Sequence, residues 1–364
     1  GDHQIIYLLK LLEASNKHHP SRLQNLLRQK LFSYAQVPYR IKPFEETLKN
    51  PSASIVYSDE DEKAIYQRIE VLGEDGKMLP DPNGDVYQVT LMEKLLVPML
   101  AKLSNLVPGG GIWMNTQRPE WNDANNALAG YGVSVVTLGY IHRYIIFMEQ
   151  LLFSNRGADQ FECSTAVAKW IINQSTTLEK LASDASNHTD AHKRLNYLRE
   201  LGEVATEYRS RLYKNGFCGE FTNISANDLK NYLKAAKKSV ADALWANSRE
   251  DKLFHAYNTI NLTCEGIQIH HLDTMLEGQV SILSSKLLNT SKVIELLKAL
   301  RKSSLYCSDR ASYLLQPDKD LPTFLEKNKV SKEEATNNSL LSKMLEDGFK
   351  GIIEKDLQGQ IRFN

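Results

Sequence analysis

Ser134-Val135-Val136-Thr137-Leu138-Gly139-Tyr140-Ile141-His142-Arg143-Tyr144-Ile145-Ile146-Phe147-Met148-Glu149-Gln150-Leu151-Leu152 places apolar side chains on nearly every face of a helix. Val135, Val136, Leu138, Ile141, Ile145, Ile146, Met148 and Leu152 leave little polar surface, which predicts a helix enclosed by other helices. Downstream, Leu195, Leu198, Gly202, Ala205, Tyr208 and Leu212 follow the three-four spacing of a one-sided helix over Ala191 to Tyr213. Ser225 is suited to cap a helix carrying Leu229, Leu233, Ala236, Val240 and Leu244, and Ser291 to start another through Val293, Leu296, Leu297 and Leu300. Ser331 with Glu334 has the spacing of a capping box for the last long helix.

The N-terminal third is mixed. Ile5 to Leu12 and Leu23 to Tyr34 predict a helical pair across His18-His19-Pro20. Gln67 to Leu72, Glu74-Asp75-Gly76-Lys77 and Met78-Leu79 predict a β-hairpin turning at Asp-Gly, inside an irregular insertion over 51–85. Val86 to Leu106 returns to helix, kinked or broken near Pro98. The expectation is an all-α chain of roughly ten antiparallel helices in one domain over 1–364. A ring of helical hairpins and a plain bundle both satisfy this periodicity.

The 364 residues hold 44 Lys plus Arg against 44 Asp plus Glu, so no long-range field collects a polyanion, and nucleic acid is disfavoured as a partner. Cys163, Cys218, Cys264 and Cys307 are widely spaced, without a Cys-x-x-Cys pair, and read as free thiols in a reducing compartment. No run approaches the roughly 20 apolar residues of a membrane span, and Gly1-Asp2-His3 does not start a signal peptide. A cytoplasmic protein without a membrane partner is expected. Nucleotide-binding glycine motifs and a serine-nucleophile elbow are missing from the sequence, and no cofactor is predicted.

The segment richest in chemistry is Asn115-Thr116-Gln117-Arg118-Pro119-Glu120-Trp121-Asn122-Asp123-Ala124-Asn125-Asn126. It lies between Pro108-Gly109-Gly110-Gly111, read as a flexible loop, and the apolar helix, where a loop enters a rigid scaffold. Glycoside cleavage needs a proton donor for the leaving oxygen and a group opposite that activates the nucleophile. For Asp123, Trp121 offers an apolar wall and Glu120 a like charge, both of which raise a carboxyl pKa, whereas Arg118 favours ionised carboxylates. The alternative is local: Pro119 suits a first helical turn, and Asn122 or Asp123 could cap it.

A second polar island comprises Leu253-Phe254-His255-Ala256-Tyr257-Asn258 and Met275-Leu276-Glu277-Gly278-Gln279. Its aromatic, amide and acidic side chains suit sugar rings and hydroxyls, with Glu277 as the opposing carboxylate in surroundings left open by Gly278. Equally, Glu277 could end a turn and His255 could be an interior histidine. His270-His271 with Asp273 is not assigned to a metal, because adjacent histidines on a helix diverge. Tyr306 to Pro317 and Leu321 to Asn328 read as an ordered loop leading to a short helix, with no catalytic role.

Trp121-Asn122-Asp123, in a polar loop that feeds an apolar helix, resembles the acid-bearing loop of the cellobiose and chitobiose phosphorylases. With His255-Ala256-Tyr257-Asn258, Met275 to Gln279, and Phe324-Leu325-Glu326-Lys327-Asn328, the chain resembles over residues 60–364 a group of large proteins often labelled cellobiose-phosphorylase-like. The resemblance implies an (α/α)6 toroid, as in six-hairpin glycosidases, with the β-hairpin inserted near the N-terminal third. It also implies carbohydrate-active chemistry, hydrolytic or phosphorolytic, with Asp123 as general acid. Glu277 and Glu120 complete the predicted catalytic set, with Arg118, Trp121, Asn122, His255, Tyr257, Asn258 and Gln279 around an oligosaccharide or disaccharide. Inorganic phosphate is the second substrate if the reaction is phosphorolysis. Ala124-Asn125-Asn126 replaces the glycine-rich tail of the phosphorylase motif, and their phosphate-binding histidine and glutamine have no recognisable counterpart. Members of the group are much longer, so the chain is expected to be an internal region whose partners include other domains of a parent chain. The rival reading is a non-catalytic saccharide-binding or scaffold domain.

Overall fold

The computed structural model describes residues 2–115, 127–154 and 159–364. The chain forms two compact units, Gly1–Pro317 and Asp318–Asn364.

In the first unit the Val135–Ser154 helix is the centre of the core, with Leu138, Ile141, Tyr144, Ile145, Met148 and Leu151 buried. It packs against the Ala226–Ala246 and Leu276–Ser284 helices, and Asp2–His18 also contacts it. Its polar groups are matched: Tyr144 Oη donates to the Leu95 carbonyl at 2.9 Å, and Arg143 grips Glu13 through Nε and Nη2, both at 2.7 Å. Ser225 caps the Ala226–Ala246 helix as expected, accepting from the Asp228 amide at 3.0 Å. The Ala191–Asn215 helix also follows its predicted course, whereas Asn289 rather than Ser291 caps Thr290–Lys302.

The all-α expectation, and with it the (α/α)6 toroid, is overturned by a five-stranded antiparallel sheet. Its strands run in the order Gly266–His271, Tyr257–Thr263, Gly132–Ser134, Gly111–Trp113, Leu106–Val107. The fold is therefore mixed α/β. Gly111–Trp113 and Gly132–Ser134 are only three residues each and buried throughout, so they show no in-out alternation. Tyr257–Thr263 and Gly266–His271 form a hairpin paired from Asn258↔His271 to Thr263↔Gly266. One face of the sheet joins Val107, Trp113, Val133, Ile260 and Ile267 to Leu198 and Phe44 in a single apolar cluster. The Ala191–Asn215 helix lies against that sheet.

Pairs of short strands finish the unit: Lys30–Phe32 with Val89–Thr90, Tyr39–Ile41 with Ile55–Tyr57, and Gln160–Ser164 with Phe221–Ser225. The predicted Leu23–Tyr34 helix thus stops at Leu26 and gives way to strand. The predicted hairpin over Gln67 to Leu79 is instead helix over Asp59–Leu72 followed by a 3-10 turn over Gly73–Lys77. Ser58 caps that helix, and Asp59, Glu60, Asp61 and Glu62 fill its first turn, where the helix dipole favours acids. Those start signals outweigh the Asp-Gly turn signal. The Leu91–Leu103 helix contains Pro98 without being interrupted.

The second unit has helices Phe324–Lys327, Lys332–Asn337 and Ser339–Glu346 and an antiparallel pair, Ile353–Lys355 with Ile361–Phe363. Val330, Ala335, Ile353 and Ile361 form its core, with Leu341 and Leu345 packed against them. The Ser331–Glu334 capping box is present, but Asn338 caps a new helix and so divides the predicted long one.

Gly266 turns the long hairpin at φ +126°, and a Cβ there would lie 2.3 Å from the Ala191 carbonyl carbon and oxygen. Gly266→Ala is expected to destabilise the protein by about 2–4 kcal/mol. Gly73→Ala, at φ +62° with nothing within 4 Å, should cost only about 1 kcal/mol. Urea unfolding of both variants checks the contrast, and equal losses would mean that the hairpin turn does not pack as described.

Candidate functional site

The second polar island is assembled where the chain leaves the Ala226–Ala246 helix, turns through Arg249–Leu253 and enters the Tyr257–Thr263 strand. Gln279 fixes the approach. Its Oε1 accepts from the Phe254 amide at 3.0 Å, and its Nε2 donates to the carbonyls of Phe254 and Met275 at 2.7 and 3.1 Å. Gly278 does not leave open space as the sequence suggested. It is buried, and a Cβ there would stand 2.9 Å from Ala256, so glycine lets the Leu276–Ser284 helix begin directly against the incoming strand. That approach brings Tyr257 Oη to Glu277 Oε2, donating at 2.9 Å. Glu277 is half-buried in the first turn of its helix, while the Tyr257 ring is buried beside Met114 and Ala256. Leu128 packs against the same cluster.

Successive strand residues face opposite sides of a sheet, so Asn258 points away from Glu277. It is fully buried, and its Nδ2 donates to the Gly110 carbonyl at 2.8 Å and to Asn247 Oδ1 at 2.7 Å. Asn247 Nδ2 in turn donates to the carbonyls of Gly109 and Ala243 at 3.1 and 2.8 Å. Pro108-Gly109-Gly110-Gly111, read from sequence as a flexible loop, is therefore a buried and hydrogen-bonded turn. Glycine is needed at position 109, where φ is +72° and a Cβ would stand 2.9 Å from that of His188. With both Asn258 amide hydrogens used, its Oδ1 accepts, and His271 Nδ1–H is the donor at 2.7 Å.

His255 stacks face to face on His271, ring centroids 3.9 Å apart and planes 7° from parallel. His270 and His271 lie on a strand, not on a helix as the sequence suggested. Burial pushes the His255 pKa down to about 4, assisted by His271 and Arg249, while a backbone hydrogen bond with Leu272 and then Asp251 pull the other way. Its Nδ1 is buried without a hydrogen-bond partner among the described residues, so a second N–H would have nothing to bond. His271 is lowered too, by burial and then by Arg249, Arg194 and His270. Among the described residues no three His, Cys, Asp or Glu side chains are grouped to hold a metal.

The predicted site residues thus divide into three sets. Tyr257 and Glu277 are in contact, whereas His255, stacked on His271, and Asn258 and Gln279, through their amide groups, are engaged inside the fold. Arg118, Glu120, Trp121, Asn122 and Asp123 lie outside the described residues. Sequence reasoning missed Asn247, whose signal was its position just after a long helix, where asparagine is a frequent cap.

With this geometry in place, the comparisons bear on the second unit. Residues 321–364 match the family described as GH149 phosphorylase insertion domain 2. The match coincides with the compact unit Asp318–Asn364 to within three residues at its start, 321 against 318. It relates the chain to glycoside phosphorylases. No curated protein matches the chain. No helix among the described residues is long and apolar enough to cross a membrane.

The folded His255 stays neutral until about pH 4, whereas an unfolded histidine takes up its proton near 6.5. Stability present above pH 6.5 is therefore lost as the pH falls toward 4, by about 2–3 kcal/mol from this residue. Replacing it, as in His255→Gln, should flatten the slope of unfolding free energy against pH in that window. Urea titrations between pH 4 and 7 measure this, and an unchanged slope would refute the assignment.

Proposed function

We propose that the chain is part of a carbohydrate-active enzyme that cleaves a glycosidic bond, with Asp123 as general acid and Glu277 as the opposing carboxylate. The observation that carries this reading is the match of residues 321–364 to a phosphorylase insertion domain. It is supported by the Trp121-Asn122-Asp123 segment and by the position of Glu277, half-buried and oriented by Tyr257.

In the proposed reaction Asp123 gives its proton to the leaving glycosidic oxygen as the bond to the anomeric carbon breaks. An oxygen of phosphate or of water forms the new bond from the opposite side. Water needs a base to take its proton, and Glu277 fills that role. Phosphate arrives already ionised and does not. The two routes are therefore separable by the Glu277 side chain. Trp121 offers a ring face to the sugar, Arg118, Glu120 and Asn122 polar contacts, and Asn258 and Gln279 hold the frame behind Tyr257 and Glu277.

The test is turnover of α- and β-linked glucosyl disaccharides and oligosaccharides by the full chain, with and without inorganic phosphate. Asp123→Asn should lower kcat by roughly 10²–10⁴-fold in either case. Glu277→Gln should suppress hydrolysis and spare phosphorolysis. Full turnover by Asp123→Asn removes the acid role. Saccharide binding without turnover in the wild type would instead identify a non-catalytic saccharide-binding domain.

A further inference from the structure

A cleft of about 380 Å³ opens between residues 35–40 and the C-terminal end of the Ala191–Asn215 helix, with the Asp59–Leu72 helix along its side. Its wall is largely apolar. Tyr39, Tyr213 and Phe217 bring rings to it, and Val37, Leu79 and Leu212 aliphatic surface. Its charged groups, among the described residues, are two guanidinium groups, Arg40 and Arg68, against the single carboxylate of Asp61. Arg40 takes that carboxylate, Nε and Nη2 donating to its two oxygens at 2.7 and 2.8 Å. Arg68 is left with neutral acceptors: Nη2 donates to Gln36 Oε1 at 2.6 Å and Nε to the Gly76 carbonyl at 3.3 Å. Its Nη1 has no acceptor among the described residues. Titration separates the two arginines in the same way. The hydrogen bond from Asp61 raises the Arg40 pKa, with Glu60 attracting it from outside the cleft lining, whereas burial lowers the Arg68 pKa and the attraction of Asp61 does not reverse it. Tyr213 Oη accepts from the Ile41 amide at 3.1 Å, and its own hydrogen has no acceptor among the described residues.

We infer that this cleft is a binding site for an aromatic monocarboxylate, its carboxylate held by Arg68 and its ring placed among Tyr39, Tyr213 and Phe217. A planar carboxylate matches the forked donors of a guanidinium group, and a single negative charge balances the one that Asp61 leaves over. The unengaged Tyr213 hydroxyl is a further donor in the lining. A small anion without an apolar body would leave the rings uncovered, and a neutral aromatic molecule would leave Arg68 unmatched. The volume falls within the range of small-ligand pockets, whose walls are characteristically apolar with a few placed polar groups. None of this depends on the roles given to Asp123 and Glu277.

The experiment is isothermal titration of the full chain, with saturation-transfer NMR of the ligand, using 3-phenylpropionate, its neutral amide, hexanoate and acetate. The 3-phenylpropionate anion should bind saturably, with an affinity that falls as salt rises. The amide, for want of charge, and acetate, for want of a ring, should each bind about tenfold or more weakly, roughly 1.4 kcal/mol. Hexanoate, which has an apolar body but no ring, should also bind more weakly. Arg68→Gln should lower the affinity for 3-phenylpropionate by about tenfold and leave that for the amide unchanged. Val37→Glu changes an exposed side chain that makes no hydrogen bond, and should weaken binding by setting a second carboxylate in the cleft. That variant carries the test if Arg68→Gln does not fold. Absence of saturable binding, equal affinity for acid and amide, hexanoate binding as tightly as the aromatic acid, or undiminished affinity in either folded variant would overturn the inference. Because the readout is binding, it holds or fails independently of any turnover assay.

Discussion

The buried carbonyls of Gly109 and Gly110 are the constraint on which the sheet depends. Residues 106–114 have no solvent to satisfy their backbone, so the Asn247 and Asn258 amides must do so. Removing either would strand a buried acceptor at a cost of about 1–3 kcal/mol. Holding Asn258 toward that turn fixes the pleat of its strand, which sends Tyr257 to the other face and its hydroxyl to Glu277. One polar constraint thereby decides which side of the sheet carries the candidate site.

Apolar packing supplies the rest of the frame. The Val135–Ser154 helix follows directly from the Gly132–Ser134 strand, so sheet and helical core share a continuous piece of chain. Elsewhere Tyr34, Phe217, Tyr87 and Phe221 stack with interplanar angles of 10° to 12°, and Lys94 and Lys30 lie over the terminal rings at 4.0 and 3.4 Å. Beside them Glu93 is fully buried, and its pKa is raised by that burial. It is compensated by hydrogen bonds from the Ser164 amide, the Ser164 hydroxyl and Tyr34. These contacts join segments more than fifty residues apart and tie the N-terminal strands to the helical core.

The two units speak to function in different ways. Asp318–Asn364 has its own small core and is the part that matches a described family, so the link to phosphorylases comes through it. Gly1–Pro317 holds the Tyr257–Glu277 contact, the stacked histidines and the cleft of Arg40 and Arg68. With a net charge of zero the chain has no long-range field that would collect a polyanion.

Much of this was legible in local sequence. Helices with caps and a 3.6 period, such as Ala191–Asn215 and Ala226–Ala246, declare themselves because their signals are contained within one turn or one face. Glu277, Tyr257 and His255 could be singled out as a polar island by residue type alone. The sheet could not be read in the same way. Gly111–Trp113 and Gly132–Ser134 are buried throughout, so no alternation marks them, and Gly132–Ser134 takes one of its partners more than a hundred residues away in Tyr257–Thr263. Whether Gly278 opens space or permits close packing, and whether Asn258 meets a ligand or a buried carbonyl, depends on which distant backbone comes to rest beside it. Composition and period determined the helices and the chemistry on offer. Only the tertiary structure decided which groups meet, because pairing between remote strands leaves no local trace.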